Sequence, residues 1–241
     1  MHVAPDAFVH LPGLRGRVTP PERSALRVTD AVLAHWDRRA QELGRPPHWR
    51  WTEQALEDSR RTVLAAVDAS CDLWVYSYGS LMWDPGVHFD EVRRADLNGF
   101  QRRFSYRTIM GRGTPQQPAL MLSLEARPGC CQGLVYRLAA DRADDETRYL
   151  WRREMLRGGY RPVWQPVETP QGPVTALVFA ANETHDDHVG ELPVDETVAI
   201  IARASGVIGS NRAYLEQLAA QLQALAIPDA YVDDLVRRLP G

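Results

Sequence analysis

The chain has 241 residues and a mass of 27.1 kDa, enough for one large domain or for a domain with an extension. Its 44% hydrophobic and 24% charged residues are typical of a soluble globular protein, and a net charge of −3 provides no basic field that would attract nucleic acid or an anionic membrane. All 28 basic residues are arginine, so lysine Schiff bases, lysine nucleophiles and the lysine of a phosphate-binding P-loop are excluded.

The first 70 residues predict an arm followed by a helical extension. Residues 1–20 are rich in proline and glycine and lack periodicity, which indicates a loosely ordered arm. Thr29 or Asp30 caps a predicted helix, and its apolar face is formed by Leu33, Trp36, Ala40 and Leu43. Thr52 begins a second helix. We expect residues 1–70 to pack on a main domain formed by residues 71–241.

Strands and helices alternate irregularly in the rest of the chain. Strands are predicted at residues 73–78, 100–110, 120–124, 131–137, 160–167 and 174–180. Helices are predicted at residues 144–157, 195–204, 211–225 and 230–239. Because β-α-β units do not repeat, the pattern favours an α+β fold around a small barrel or curved sheet over a doubly wound fold.

The cysteines and the hydropathy pattern indicate a cytoplasmic protein. Cys71, Cys130 and Cys131 are too few for a disulfide framework or a four-cysteine metal site, and we expect them to be reduced and buried. Residues 1–20 lack a charged start followed by an apolar run, so no secretion signal is expected. No apolar stretch is long enough to span a bilayer, so no membrane partner is expected.

The histidines provide one weak candidate for a metal site. Only His185 and His188 are close in sequence, and they lie in the polar run ETHDDHVGE. A solvated loop is the favoured interpretation, with weak binding of a divalent ion as the alternative, because the spacing implies no third ligand. We therefore predict no metal.

Two other segments are candidates for chemistry without a cofactor. In Tyr78-Gly79-Ser80-Leu81, Gly79 permits a sharp turn after a strand, and successive N–H groups would form a small anion-binding nest. A simple tight turn is the alternative. Glu154 is predicted on a partly apolar helix face, where loss of solvent would raise its pKa and suit a general base. From spacing alone, an ion pair of Glu154 with Arg153 or Arg157 is favoured.

Six segments occur in a characteristic order along the chain. They are residues 74–85 (WVYSYGSLMWDP), 100–104, 111–118, 133–137, 153–160 (REMLRGGY) and 204–211 with Tyr214 and Leu215. In this order they resemble the ChaC family, the glutathione-specific γ-glutamylcyclotransferases. The resemblance covers about residues 70–238, and one departure is Ala119, where members often have glycine after the proline.

The resemblance implies a fold, a reaction and site residues. The fold is a small mixed β-barrel flanked by helices, with residues 71–241 as the catalytic domain. The reaction splits glutathione into 5-oxoproline and Cys-Gly without water or a cofactor. The resemblance further implies that Glu154 is the general base and that the loop Tyr78, Gly79, Ser80 and Leu81 binds the γ-glutamyl moiety. Arg112 and Tyr160 are candidates for holding the Cys-Gly end.

Two alternative functions remain open from the sequence. One is a cyclotransferase for other γ-glutamyl amino acids or amines, with the same chemistry and a different pocket beyond the γ-amide. The other is a non-enzymatic regulator or partner protein, and the presence of Glu154 beside an intact Tyr-Gly-Ser-Leu loop argues against it. No long exposed apolar seam is evident, so a monomer is favoured and a dimer is left open.

Overall fold

The computed structural model describes residues 5–240, so residues 1–4 of the predicted arm and Gly241 lie outside the described residues. The helices are α1 (Asp30–Glu42), α2 (Glu53–Leu64), α3 (Ala140–Glu154), α4 (Val194–Arg203), α5 (Asn211–Ala224) and α6 (Ala230–Arg238). The strands are β1 (Leu73–Ser77), β2 (Glu91–Thr108), β3 (Ala119–Leu138), β4 (Tyr160–Val167), β5 (Val174–Ala181), β6 (Ser205–Gly206) and β7 (Gly209–Ser210). The predicted α+β class, with a central sheet and helices, is confirmed.

Five strands form the main sheet in the order β2-β3-β1-β5-β4. Val75 of β1 lies opposite Tyr136 of the antiparallel β3 and opposite Leu177 of the parallel β5. A strand paired on both edges is expected to be rich in β-branched and aromatic residues, as in the β1 sequence LWVYS.

The predicted barrel is not confirmed, because β2 and β4 remain at the two ends of this order. A single antiparallel bridge joins Asp96 of β2 to Glu168, which follows β4, through N–H···O bonds of 2.8 and 3.0 Å. One bridge is not a strand ladder.

The second and third strands are longer than predicted. β2 begins at Glu91, well before residue 100, and β3 runs without a break through the two strands predicted at 120–124 and 131–137. Residues 125–130, which separate the two predicted strands, include Pro128 and Gly129. In the structure Pro128 is exposed and its carbonyl accepts a hydrogen bond from the Gln101 side chain. The chain therefore tolerates these residues without ending the strand.

The described residues form two compact units. The first contains the chain up to Leu97 together with Gln132–Phe179, and so includes α1, α2, α3, β1 and β4. The second contains Asn98–Cys131 and the chain from Ala180 onward, including α4, α5, α6 and the β6–β7 hairpin. The predicted division between residues 1–70 and 71–241 stays a prediction.

The described part of the arm is packed, so the prediction of a loosely ordered arm was wrong for residues 5–20. Short 3₁₀ helices form at Pro5–Phe8 and Pro12–Leu14. The Phe8 ring packs edge-on against Phe89 with centroids 5.7 Å apart, and Leu14 is buried. Proline and glycine interrupt the hydrophobic periodicity by which helices and strands are predicted. Single apolar residues on tight turns, such as Phe8 and Leu14, are nevertheless buried in the core.

The two helices of the extension begin where they were predicted. Thr29 accepts a hydrogen bond from the Val32 N–H at the start of α1, and Thr52 accepts one from the Ala55 N–H at the start of α2. The extension is tied to α3 by a two-bond ion pair between Arg27 and Glu146, with N···O distances of 2.6 and 3.0 Å. These contacts place the extension against the helix that ends at Glu154.

The cysteines differ in their exposure. Of the three free cysteines, only Cys131 is buried, and the expectation that Cys71 and Cys130 are buried was wrong. Cys71 lies at a turn and Cys130 at an exposed part of β3, which explains why neither is buried.

In the part of the chain from residue 5 to 240, no helix has the length and hydropathy needed to cross a membrane.

Candidate active site

The Tyr78–Leu81 loop leaves the central strand β1 and enters a short 3₁₀ helix, Ser80–Met82. The Tyr78 hydroxyl donates to the Phe179 carbonyl at 3.2 Å, and the side chains of Leu81 and Met82 are buried. The Tyr136 hydroxyl donates to the Met82 carbonyl at 3.0 Å. The loop is therefore anchored from both sides of the central strand while its backbone makes the turn.

The backbone N–H groups of the loop and of the three residues after it divide into two sets. Those of Met82, Trp83 and Asp84 donate back to carbonyls of Gly79 and Ser80 at 2.8 to 3.2 Å. Those of Gly79, Ser80 and Leu81 have no acceptor among residues 5–240. Three successive unpaired donors are the arrangement expected of the predicted anion-binding nest.

Glu154 is the last residue of α3 and lies on a helix that packs through Thr147, Leu150 and Trp151. Only 13% of its side chain is exposed. Burial raises the pKa of Glu154, and the positive charge of Arg153 acts in the opposite direction. The carboxyl group therefore has the partly desolvated setting that a general base near neutral pH requires.

Arg153 connects Glu154 with the loop. Its Nε lies 3.1 Å from Oε1 of Glu154, its Nη2 donates to the Ser80 Oγ at 2.9 Å, and its Nη1 donates to the Asp84 carbonyl at 2.6 Å. The Arg153 side chain is only 8% exposed. The predicted ion pair of Glu154 with Arg153 therefore forms, and it is buried beside the loop.

Trp51 of the extension packs on the turn that follows Glu154. The backbone N–H of Trp51 donates to the Leu156 carbonyl at 2.9 Å, and the indole ring covers Gly158. Trp51 keeps 36% of its surface exposed. Sequence reasoning did not find this contact, because no periodic signal relates residues so far apart in the chain. Tyr160, the first residue of β4, is half-buried close behind this turn.

Arg112 lies in the second unit. Its guanidinium sits over the Tyr214 ring, 5.2 Å from the centroid, and its Nη1 donates to the Ser210 carbonyl at 2.8 Å. Burial lowers the pKa of Arg112. No carboxylate within residues 5–240 pairs with it, so this half-buried charge is available to an anion.

The histidine pair forms contacts within the second unit. His188 Nε2 lies 3.0 Å from Oε1 of the buried Glu125, and its ring packs against Tyr106. Glu125 also accepts hydrogen bonds from Ser105 and Ser123. Across the described residues 5–240, no three His, Cys, Asp or Glu side chains are grouped as a metal ion would require.

Several known proteins are similar to this chain in sequence. Residues 73–240 match the family model ChaC, described as ChaC-like protein. The chain is 34% identical to the glutathione-specific gamma-glutamylcyclotransferase of Escherichia coli K12, over 77% of this chain and 80% of that protein. It is 32% identical to glutathione-specific gamma-glutamylcyclotransferase 1 of Mus musculus, over 63% and 70%.

A solved structure also resembles this fold. The crystal structure of a gamma-glutamylcyclotransferase specific to glutathione from yeast aligns with a TM-score of 0.60 and 25% identity, covering 69% of this chain and 97% of that one. The family model covers the candidate loop, Glu154 and Arg112 together. The chain therefore belongs to the ChaC family.

Proposed function

We propose that this protein is a glutathione-specific γ-glutamylcyclotransferase that cleaves reduced glutathione into 5-oxoproline and Cys-Gly. The names of its relatives support this substrate. The observation that carries the proposal is the buried carboxylate of Glu154, linked by the Arg153 side chain to a turn with three unpaired N–H groups. Intramolecular attack on an amide requires a base to deprotonate the amine and hydrogen-bond donors to stabilise the developing oxyanion, and this site has both.

Glu154 acts as the general base in this proposal. The α-amine of the γ-glutamyl residue is mostly protonated at neutral pH, so Glu154 removes a proton to free its lone pair. The nitrogen then attacks the γ-carbonyl carbon and closes a five-membered ring. Glu154 returns this proton to the nitrogen of the Cys-Gly part as the original C–N bond breaks, and the second proton that the ring nitrogen loses is taken up by the released Cys-Gly amine. No water is consumed, because the nucleophile belongs to the substrate.

The loop Tyr78, Gly79, Ser80 and Leu81 binds the γ-glutamyl moiety. Its unpaired N–H groups hold either the α-carboxylate or the oxygen of the γ-carbonyl, on which negative charge develops during the attack. Since the reacting groups share one molecule, the main task of the loop is to fold the glutamyl chain into a near-attack shape.

Arg112 and Tyr160 are proposed contacts for the Cys-Gly end. The guanidinium of Arg112 lacks a carboxylate partner among the described residues, which suits the terminal carboxylate of glutathione. On this assignment Arg112→Gln raises the KM for glutathione and leaves kcat nearly unchanged. An unchanged KM would remove Arg112 from the substrate contacts.

A panel of three compounds tests the substrate. Purified protein is incubated separately with reduced glutathione, γ-Glu-Ala and oxidised glutathione, and 5-oxoproline is followed by mass spectrometry. Release from reduced glutathione alone supports the proposal. Release from γ-Glu-Ala instead would keep the mechanism and change the substrate class. If none of them yields 5-oxoproline, the proposal is wrong and a regulator or partner protein becomes the working hypothesis.

Three finer expectations accompany this proposal. The first is that the sheet forms a small barrel. The pair of hydrogen bonds between Asp96 and Glu168 supports it, because this bridge links β2 to the end of β4. A cytoplasmic location fits the free cysteines, since a reducing compartment keeps them so. A monomer is the expected state, and light scattering on the purified protein tests it.

A further inference from the structure

Arg153 contacts both halves of the candidate site, yet neither the proposed base nor the proposed nest requires an arginine. Its guanidinium reaches Glu154, Ser80 and the Asp84 carbonyl at once. We propose that Arg153 is a positioning residue that orients the Glu154 carboxylate and fixes the Ser80 hydroxyl as a hydrogen-bond donor at the turn. The inference rests on the proposed function for its kinetic consequences but not for its structural ones.

The direction of the Ser80 hydroxyl follows from the chemistry of arginine. A guanidinium has only N–H donors, so in the 2.9 Å contact the Ser80 Oγ must accept. A hydroxyl that accepts still carries one proton to donate. Among residues 5–240 no group accepts that proton. Ser80 therefore adds a fourth donor beside the unpaired N–H groups of Gly79, Ser80 and Leu81.

The shape of the guanidinium is essential to this role. The Ser80 hydroxyl, the Asp84 carbonyl and the Glu154 carboxylate lie at hydrogen-bonding or ion-pairing distance from three different nitrogens of the Arg153 side chain. A planar guanidinium contacts these three acceptors at once in a single orientation. A lysine ammonium on a flexible chain has no such fixed arrangement of donors.

Two further titratable residues lie near Arg153: Asp84, whose main-chain carbonyl accepts from it, and Tyr136, whose hydroxyl feels the charges of both. Asp84 contributes a carboxyl oxygen that is buried and has no hydrogen-bond partner within residues 5–240. Tyr136 comes from β3, and burial raises the pKa of its hydroxyl, so it stays neutral. Arg153 is the group whose charge lowers the pKa of Glu154 against the effect of burial. Loss of the Arg153 charge should therefore move the titration of Glu154 to higher pH.

Kinetics of two substitutions separate charge from geometry. In Arg153→Gln the acid limb of the kcat/KM profile moves to higher pH, and kcat falls by roughly 10²-fold because the base is no longer held in place. In Arg153→Lys the acid limb stays near that of wild type while kcat still falls, because the planar arrangement of donors is lost.

A substitution of Ser80 tests whether the two residues act together. Ser80→Ala lowers kcat in the wild-type background and has little further effect in Arg153→Gln. A folded Arg153→Gln protein with the wild-type limb and kcat would overturn the proposal.

Arg148→Gln is the matched control. Arg148 lies on the same helix, is half exposed and pairs with Asp144 instead of the loop. We expect its pH profile and kcat to match wild type. If Arg148→Gln shifted the acid limb as far as Arg153→Gln, the shift would result from the loss of any positive charge on this helix, and the role assigned to Arg153 would be wrong.

A readout independent of catalysis keeps this inference separate from the proposed function. The Glu154 carboxyl carbon is followed by NMR in protein with ¹³C-labelled glutamate, and its signal is assigned by its absence in Glu154→Gln. We expect its titration midpoint to rise in Arg153→Gln and to stay close to wild type in Arg153→Lys. An unchanged midpoint in Arg153→Gln would contradict the role of Arg153. If wild type releases no 5-oxoproline, the proposed function fails and the NMR result still decides this one.

Discussion

The indole of Trp51 occupies the space that a side chain at Gly158 would need. A Cβ built on Gly158 would lie 2.7 Å from Cζ2 of Trp51, and Gly158 has a φ of +74°. The tryptophan belongs to the extension that precedes the family-model region 73–240, whereas the glycine lies four residues beyond Glu154. The extension thus shapes the turn that follows the proposed base.

Gly158→Ala should destabilise the protein by two mechanisms. The positive φ costs about 1–2 kcal/mol for a residue with a Cβ, and the clash with Trp51 adds to this cost. Gly44→Ala is the control, because Gly44 has a φ of +67° and no atom within 4 Å of the built Cβ. We expect a larger loss of Tm for Gly158→Ala than for Gly44→Ala, measured by thermal unfolding. Adding Trp51→Ala should recover part of the excess, and equal losses at the two glycines would contradict the account.

Glu154→Gln should abolish turnover without loss of stability. The amide is nearly isosteric with the carboxyl group but is not basic, so we expect kcat to fall by at least about 10²-fold while Tm is no lower than in wild type. Asp145→Asn, an exposed change on the same helix, is the control and should leave kcat unchanged. Comparable turnover in wild type and Glu154→Gln would remove Glu154 as the base.

The same substitution gives a prediction about stability and pH. Burial raises the pKa of Glu154 above its ordinary value of 4.5, so the folded protein holds the proton more tightly than the unfolded chain. As pH rises from about 4.5 through the folded pKa, wild type loses stability that Glu154→Gln does not lose. We expect the free energy of unfolding of the variant, relative to wild type, to increase over this range in urea titrations. A decrease would show that the carboxylate is stabilised in the folded state.

The ion pair between Arg27 and Glu146 should make the extension important for stability. Their side chains are only 15% and 6% exposed, and Glu146 also accepts the His88 N–H at 3.0 Å. Arg27→Ala leaves a buried carboxylate without its charge partner, which typically costs about 3–5 kcal/mol. Arg39→Ala, which breaks an exposed pair with Glu42, should cost no more than about 1 kcal/mol. Similar losses in urea titrations would contradict the bracing role of Arg27.

Local signals in the sequence predicted the helices to within four residues at either end, and the largest error is in α3, predicted at 144–157 and found at Ala140–Glu154. Thr29 and Thr52 cap helices because a threonine before an amphipathic run is a local feature, and β4 has the predicted bounds Tyr160–Val167. The length of β3 was missed, because proline and glycine usually end a strand but are tolerated here at an exposed position.

The candidate site was only partly accessible from the sequence. Glu154 and the loop at Ser80 were selected by their resemblance to a family, and spacing alone favoured an ion pair for Glu154. The link between them through Arg153 depends on how α3 meets the end of β1, which is a tertiary relationship without a periodic signal. The contact of Trp51 with Gly158 was missed for the same reason.

The cyclotransferase mechanism is tested most directly by running the reaction in water enriched in oxygen-18 and following the γ-carbonyl group of glutathione. Reduced glutathione is incubated with wild type and with Glu154→Gln, and the products are analysed by mass spectrometry. Intramolecular attack by the α-amine predicts unlabelled 5-oxoproline from wild type and none above background from the variant. Glutamate carrying oxygen-18 in its γ-carboxyl group would show attack by water and would contradict the cyclotransferase mechanism.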